Sequence, residues 1–456
     1  MSYQAYSVSW NLTQRCNLFC THCYISGFSN ADISQDLTTA ECFSAMDGMA
    51  KVNPGIFLIL TGGEPLVRKD IFDIAAYGAD KGFTCVLGTN GVLLGKKEAR
   101  QMRQSGLQGA SISLDSVDSE RHDKFRKLEG SWKNAIRGMQ FLREEGLDFS
   151  IHMSVMSWNR TEIPQMVELA HRLGARVLNF FFLVQTGRGR DVMDIEPHQY
   201  EEILMYMARV QGVGAAPNNT ERPAQDGQME DAWTLPAGQS NGLILRAKCA
   251  PHFRRILYQL DPNSPLLKNY AQGGGCPAGK YYCRITPEGD VTPCPYMPLS
   301  AGNLRQQSFD EIWNNSPLMN SLRQPKLGGR CGECEFSEIC GGCRCRAYAT
   351  YGDHLAEDPA CSYQPGQYGQ IVRLPDEQTF ALGVNLTLNW QEAARERLFK
   401  LPAFARGMVA RGVEKFAAEN HLSTITTEVM QQVKEAAELR LGRSFQFTEF
   451  QRSEKN

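Results

Sequence analysis

Six short apolar segments recur along the first part of the chain: Ser7 to Leu12, Ile56 to Leu60, Phe83 to Leu87, Gly109 to Leu114, Phe149 to Val155 and Arg176 to Phe182. Each is of strand length. Between them, near Thr38 to Met49, Asp70 to Ala79, Lys96 to Ser105, Ser131 to Glu145 and Glu162 to Leu173, apolar residues return every three or four positions, as on one face of a helix. Strands alternating with helices predict a parallel sheet with right-handed crossovers, here an α/β partial (β/α)6 barrel over 1–200, with chemistry at the C-terminal ends of its strands. Between Gly212 and Gly242 the pattern dissolves into Gly, Ala, Pro, Asn and Gln, so 201–270 reads as a linker that is either disordered or a lid over substrate. A second linker over 366–388 precedes 389–456, where Trp390 to Leu398, Phe404 to Glu419 and Thr427 to Leu439 predict a small helical domain.

Composition narrows the class. With 48 Lys+Arg against 50 Asp+Glu the net charge is −2, which gives no global attraction for nucleic acid or an anionic membrane, and 42% hydrophobic residues exclude wholesale disorder. The apolar runs fall far short of the roughly 20 residues of a membrane helix, and the start Ser2-Tyr3-Gln4-Ala5-Tyr6 lacks an export pattern. The expected location is therefore the cytoplasm. In that reducing space 15 cysteines call for metal ligation or catalysis rather than disulfides.

Three cysteines stand as Cys16-x3-Cys20-x2-Cys23, followed by Tyr24. Structural zinc wants four ligands, whereas a four-iron cube on three thiolates keeps one iron open to a non-protein ligand. This spacing resembles the radical S-adenosylmethionine superfamily, and so does Gly62-Gly63-Glu64-Pro65 after the second strand, where two glycines would let the backbone approach a ligand. The resemblance implies that Cys16, Cys20 and Cys23 are catalytic and hold a [4Fe-4S] radical cluster. It places Tyr24, Gly62, Gly63, Glu64, Pro65 and Asn90 at the cofactor, Glu64 toward its amino group, Ser113 and Asp115 toward its ribose or methionine part, and Arg126 at its carboxylate.

Nine further cysteines fall between Cys276 and Cys361, and Cys42, Cys85 and Cys249 stand alone as candidates for packed thiols. The order Cys276-x6-Cys283-x10-Cys294, then Cys331-x2-Cys334-x5-Cys340-x2-Cys343-x-Cys345, then Cys361, resembles the SPASM extension of that superfamily and reads as a metal-bound module over 271–365 rather than an apolar core. It implies two auxiliary [4Fe-4S] clusters, one on Cys276, Cys283, Cys294 and Cys343 and one on Cys331, Cys334, Cys340 and Cys361. The choice between Cys343 and Cys345 is open, and a zinc ribbon is the rival.

Ser111 to Asp115, Phe125 to Gly130, Thr186-Gly187-Arg188-Gly189-Arg190, Cys276 to Cys283 and Glu357 to Cys361 resemble the haem d1 and alternative-haem branch, which acts on sirohaem derivatives. Leu401 to Arg406 through Ile425 to Val429 resembles the small C-terminal domain of protochlorophyllide reductase subunits. The resemblance implies an oxidoreductase or lyase-type enzyme that cleaves S-adenosylmethionine reductively and modifies a tetrapyrrole side chain, with electrons from a flavodoxin or ferredoxin. A SPASM peptide maturase and a multi-cluster electron carrier are the alternatives. Tyr281, Tyr282, Cys249 and His252 are candidates for quenching the product radical.

Overall fold

The computed structural model describes residues 3–191, 194–213, 243–264, 266–267, 275–374, 386–399, 401 and 403–441. The region read as a lid lies, over 214–242, outside the described residues.

Strands β1 (Ser7–Asn11), β2 (Phe57–Thr61), β3 (Thr84–Thr89), β4 (Gly109–Ser113), β5 (Asp148–Val155) and β6 (Val177–Phe182) pair in chain order, all parallel. They coincide with the six apolar segments. The helices between them start where caps predict: the Thr38 side chain accepts from Glu41 N while the Glu41 carboxylate accepts from Thr38 N, closing a box around the first turn of α1 (Thr39–Val52).

The sheet does not stop at six strands. Helix Pro197–Val210 leads to β7 (Ile244–Lys248), parallel to β6, and helix His252–Leu260 follows. The reading of 201–270 as a linker is corrected by these elements. Because β7 is an edge strand, one face of it carries Arg246 and Lys248 instead of apolar residues, and an apolar run is missing from its sequence. On the opposite edge β8 (Tyr282–Ile285) joins β1 in parallel, followed by antiparallel β9 (Asp290–Thr292) and β10 (Gly302–Asn303). The cysteine-rich segment therefore contributes to the main sheet. Its helix Phe309–Asn315 packs on α1, where Trp313 Nε1 donates to Tyr3 O at 2.8 Å.

Alternation along the strands separates two faces. Val8, Trp10, Leu58, Leu60, Cys85, Leu87, Ile112, Ile151, Met153, Leu178, Phe180 and Leu245 are buried in one core under the helices. Ser9, Asn11, Thr61, Ser111, Ser113, Ser150, His152, Ser154, Asn179, Arg246 and Lys248 alternate with them, so the inner face of the partial barrel is polar.

Residues 383–456 form a separate unit. Its described helices Glu392–Phe399, Ala403–Glu419 and Thr427–Leu441 match the three expected, with a short parallel pair, Asn389–Trp390 against Thr424–Ile425. Glu414 ties its start by accepting from Trp390 Nε1 and Thr387 N, each at 2.8 Å.

Candidate active site

Two loops build the first centre. The chain leaving β1 carries Cys16, Cys20 and Cys23, and the chain leaving β2 carries Gly62 to Pro65. Gly63 N donates to Thr13 O at 2.7 Å and Glu64 N to Arg15 O at 3.0 Å. Gly62 has φ +148°, and a Cβ there would sit 2.5 Å from Thr13 O; one on Gly63 would press closer still on Arg15 O. Both glycines are needed here for the close approach of the cysteine-loop backbone.

A third loop, Thr186 to Arg190, closes over the same cysteines. Gly187, at φ +56°, leaves no space for a Cβ, which would lie 2.5 Å from Cys23 O. Arg188 N donates to Cys23 O at 3.1 Å, its Nε to Cys20 O at 2.9 Å, and its guanidinium lies 4.0 Å from the Phe19 ring centre. The sequence singled this string out without giving it a task. In the fold it clasps the cysteine loop.

The thiols are addressed by donors. Leu18 N lies 3.4 Å and Asn90 Nδ2 4.0 Å from Cys16 Sγ, and Arg126 Nη1 lies 3.9 Å from Cys20 Sγ. Burial pushes the Cys16 thiol up to about 12 and raises Cys20, so without a metal group both sulfurs are held as thiols, and a bound metal group would supply the positive charge that favours thiolates. Such a donor set fits an iron–sulfur cluster on Cys16, Cys20 and Cys23.

Glu64 is fully buried beside them. It accepts from Thr89 Oγ1 at 2.7 Å, Asn90 N at 2.9 Å and Leu66 N at 3.2 Å, the last across the turn that Pro65 begins. Burial still lifts it to about 7, against those hydrogen bonds, and among the described residues no cation is bonded to it. An ammonium group would meet that need.

Asp115 and Arg126, expected near the cofactor, form an ion pair beside Cys20. Arg126 Nη2 and Nε lie 2.7 and 2.8 Å from Asp115 Oδ2, and Asp115 Oδ1 accepts from Ser154 N at 3.0 Å. Both are buried, so each takes the nearest countercharge. Against burial, Arg126, His22 and His122 hold Asp115 down at about 2. Ser113 sits on the polar inner face, in register with His152. Asn90 Nδ2 is bonded to Asn17 Oδ1 at 2.8 Å.

The second cysteine field divides differently from expectation. Cys294, Cys343 and Cys345 are buried in one cluster with Cys276 packed against it, and the Cys345 thiol is perturbed by all three of the others. These four thiols form one group. Cys283 is not among them: it pairs in register with Val8 and is buried with it in the helix-covered core, because strand alternation turns Arg284 rather than Cys283 to the inner face. Cys249, which follows β7 at φ +60°, feels Cys343, Cys294 and Cys276 as neighbours, so it is not simply a packed thiol, whereas Cys42 and Cys85 are buried in the core.

Cys331, Cys334, Cys340 and Cys361 gather as expected, around a small cavity shared with His252 and Arg255. Asp358 connects the two groups. Its Oδ2 accepts from Cys343 N at 2.6 Å, its own N lies 3.4 Å from Cys331 Sγ, and Arg346 Nη1 and His252 Nε2 stand 3.1 and 3.2 Å from Oδ2. Arg346 reaches on to Cys249 O at 3.0 Å. Among the described residues no three His, Cys, Asp or Glu side chains close to the spacing of a single metal ion's ligands; a four-iron cube draws on a wider set of thiols than one ion does.

A cavity of about 450 Å³ is lined by Gln14, Tyr24 and Ile25 of the first cysteine loop, by Thr186 and Gly187 of the loop that clasps it, and by Pro295 and Tyr296, which follow Cys294. Tyr24, Tyr296 and Tyr348 wall it, and Arg190, Arg284 and Glu288 carry its charge. Tyr24 and Tyr296 stand 5.4 Å apart by ring centres.

Comparison with known proteins agrees with this arrangement. Residues 10–170 match the Radical SAM superfamily, 276–335 an iron–sulfur cluster-binding domain, and 390–434 the proto-chlorophyllide reductase 57 kD subunit. An AdoMet-dependent heme synthase of Methanosarcina barkeri is 38% identical over 79% of this chain and 97% of its own length. A pre-heme d1 synthase of Dinoroseobacter shibae is 29% identical over 79% and 87%. In fold the chain is similar to Streptococcus suis SuiB bound to S-adenosylmethionine, with a TM-score of 0.58 at 16% identity over 79% of this chain and 78% of that one. Among the described residues no helix is long and apolar enough to cross a membrane. The chain is an enzyme of the radical SAM superfamily and belongs to the SPASM-containing family that includes the AdoMet-dependent haem synthases.

Proposed function

We propose that this enzyme alters a peripheral side chain of a carboxylated tetrapyrrole, working in the cytoplasm with a flavodoxin- or ferredoxin-type electron donor. The observation that carries the reading is the cavity beside the first cysteine loop, where tyrosines offer apolar surface to a flat ring and Arg190 and Arg284 offer charge to its carboxylates. The similarity to haem and pre-haem d1 synthases supports it.

In this reading Cys16, Cys20 and Cys23 hold the radical cluster and Glu64 receives the amino group of S-adenosylmethionine. When bound, these groups supply one-electron cleavage of the sulfonium and a 5'-deoxyadenosyl radical for hydrogen abstraction. The chain's own work is to position: Arg188 and Gly187 fix the cysteine loop, and the GGE turn locks onto it. Two auxiliary clusters are assigned to Cys276, Cys294, Cys343 and Cys345, and to Cys331, Cys334, Cys340 and Cys361.

Anaerobic incubation of the reduced, reconstituted enzyme with sirohaem-derived tetrapyrroles and S-adenosylmethionine is the test. A changed porphyrin mass together with 5'-deoxyadenosine is expected. The same 5'-deoxyadenosine without any porphyrin change or binding would favour a peptide substrate instead.

A further inference from the structure

We infer that Arg284 is the anchor for a substrate carboxylate, held in place by Asn11, and that the cavity it lines takes a planar aromatic ring bearing such carboxylates. This rests on the tetrapyrrole reading above and names the residue that would recognise its acid groups.

Arg284 lies on β8, one residue beyond buried Cys283, and alternation directs it to the inner face opposite Ser9. It is only 9% exposed, yet among the described residues it makes no ion pair. Three other buried arginines at these centres have an acid, Arg126 in Asp115, Arg346 in Asp358 and Arg255 in Glu201, and a fourth, Arg344, donates to the carbonyls of His354 and Ala356. A buried guanidinium without an acid is costly unless a ligand brings one. Its Nε donates to Asn11 Oδ1, while Asn11 Nδ2 donates to the Tyr24 hydroxyl at 2.8 Å. Asn11 thus holds the guanidinium by one edge and the first aromatic wall by its ring hydroxyl. The Tyr24 ring centre is 5.9 Å from the guanidinium carbon.

The surroundings agree in sign. Arg190 lines the same cavity and is likewise without an ion pair among the described residues. Glu288 is the one acid in the lining, against the two arginines. Tyr296 and Tyr24 line the cavity as a touching pair, ring centres 5.4 Å apart and tilted by 60°, so a flat ring can lie against this pair while its acid arm reaches the guanidinium.

The test uses the full-length reconstituted protein and two size-matched probes: iron coproporphyrin III, and the same porphyrin with its four carboxylates converted to primary amides. Binding is read anaerobically from the shift of the porphyrin absorption band. The wild type should prefer the acid by about 10- to 100-fold, the range of charge-assisted hydrogen bonds. Arg284→Gln should abolish that preference while still binding the amide. Arg284→Lys, which keeps the charge and loses the Asn11 bond, should retain part of it, and Tyr296→Leu should weaken both probes alike. A merely structural role for Arg284 would weaken acid and amide equally. If the wild type prefers the acid and both Arg284 variants keep that preference in full, the assignment is wrong and the tetrapyrrole reading survives. If the wild type binds neither probe, the tetrapyrrole reading fails and the assignment falls with it.

Discussion

At the scale of single residues, Glu64 and Asp115 show how burial gives two carboxylates opposite characters. Glu64, lifted to about 7 by burial, is neutral below that pH, and receiving an ammonium requires the carboxylate. Affinity for S-adenosylmethionine should therefore rise as pH climbs from about 5.5 to 7.5, and Glu64→Gln should bind weakly with a flat profile. The sign for the ligand-free protein is opposite. A raised acid pKa stabilises below its ordinary value, and that contribution is lost as pH rises through about 7. Asp115 is held low by Arg126 instead. Asp115→Asn strands Arg126 in the interior, and urea unfolding should show a loss of about 3–5 kcal/mol, the usual cost of breaking a buried pair from one side.

At the scale of elements, β8 decides a ligand set. Because Cys283 points into the core and Cys345 toward Cys276 and Cys294, the two cysteines should respond differently to removal. Cys283→Ala should leave iron content unchanged and cost roughly 1–2 kcal/mol of packing. Cys345→Ala should remove about four irons per chain, one cube's worth. Iron analysis beside a denaturation curve separates them, and the reverse pattern would return Cys283 to the cluster. Six strands and their helices were legible because each carries a plain period. The seventh and eighth were not, since β7 displays basic residues on its inner face and β8 is short and sits inside a cysteine motif that draws the eye to metal.

At the scale of the whole molecule, all 15 cysteines precede residue 362, and the unit from 383 onward has its own core around Trp390, Ala394, Val413 and Ile425. Truncation after Leu382 should therefore leave iron loading at about twelve per chain if three cubes form. A truncated protein that loads only a third of that would show that the helical unit is needed for assembly of the clusters.

The sequence by itself determined the class of chemistry. Cys16-x3-Cys20-x2-Cys23, the Gly62-Gly63-Glu64-Pro65 turn and the alternating period of strands and helices are local features, and local features survive being read along a line. Cys331, Cys334 and Cys340 lie within ten residues of one another, and the resemblance added the distant Cys361, which lines the same small cavity. Only the tertiary structure decided that Cys345 gathers with Cys294 and Cys343 while Cys283 turns into the core, that the glycines of the second loop pack on the first, and that Asp115 and Arg126 answer each other. It alone left Arg284 buried without an acid. Each of these depends on which face of a strand a residue takes or on which distant backbone comes within 3 Å. Those are relations between elements far apart in the chain, and no single segment carries them.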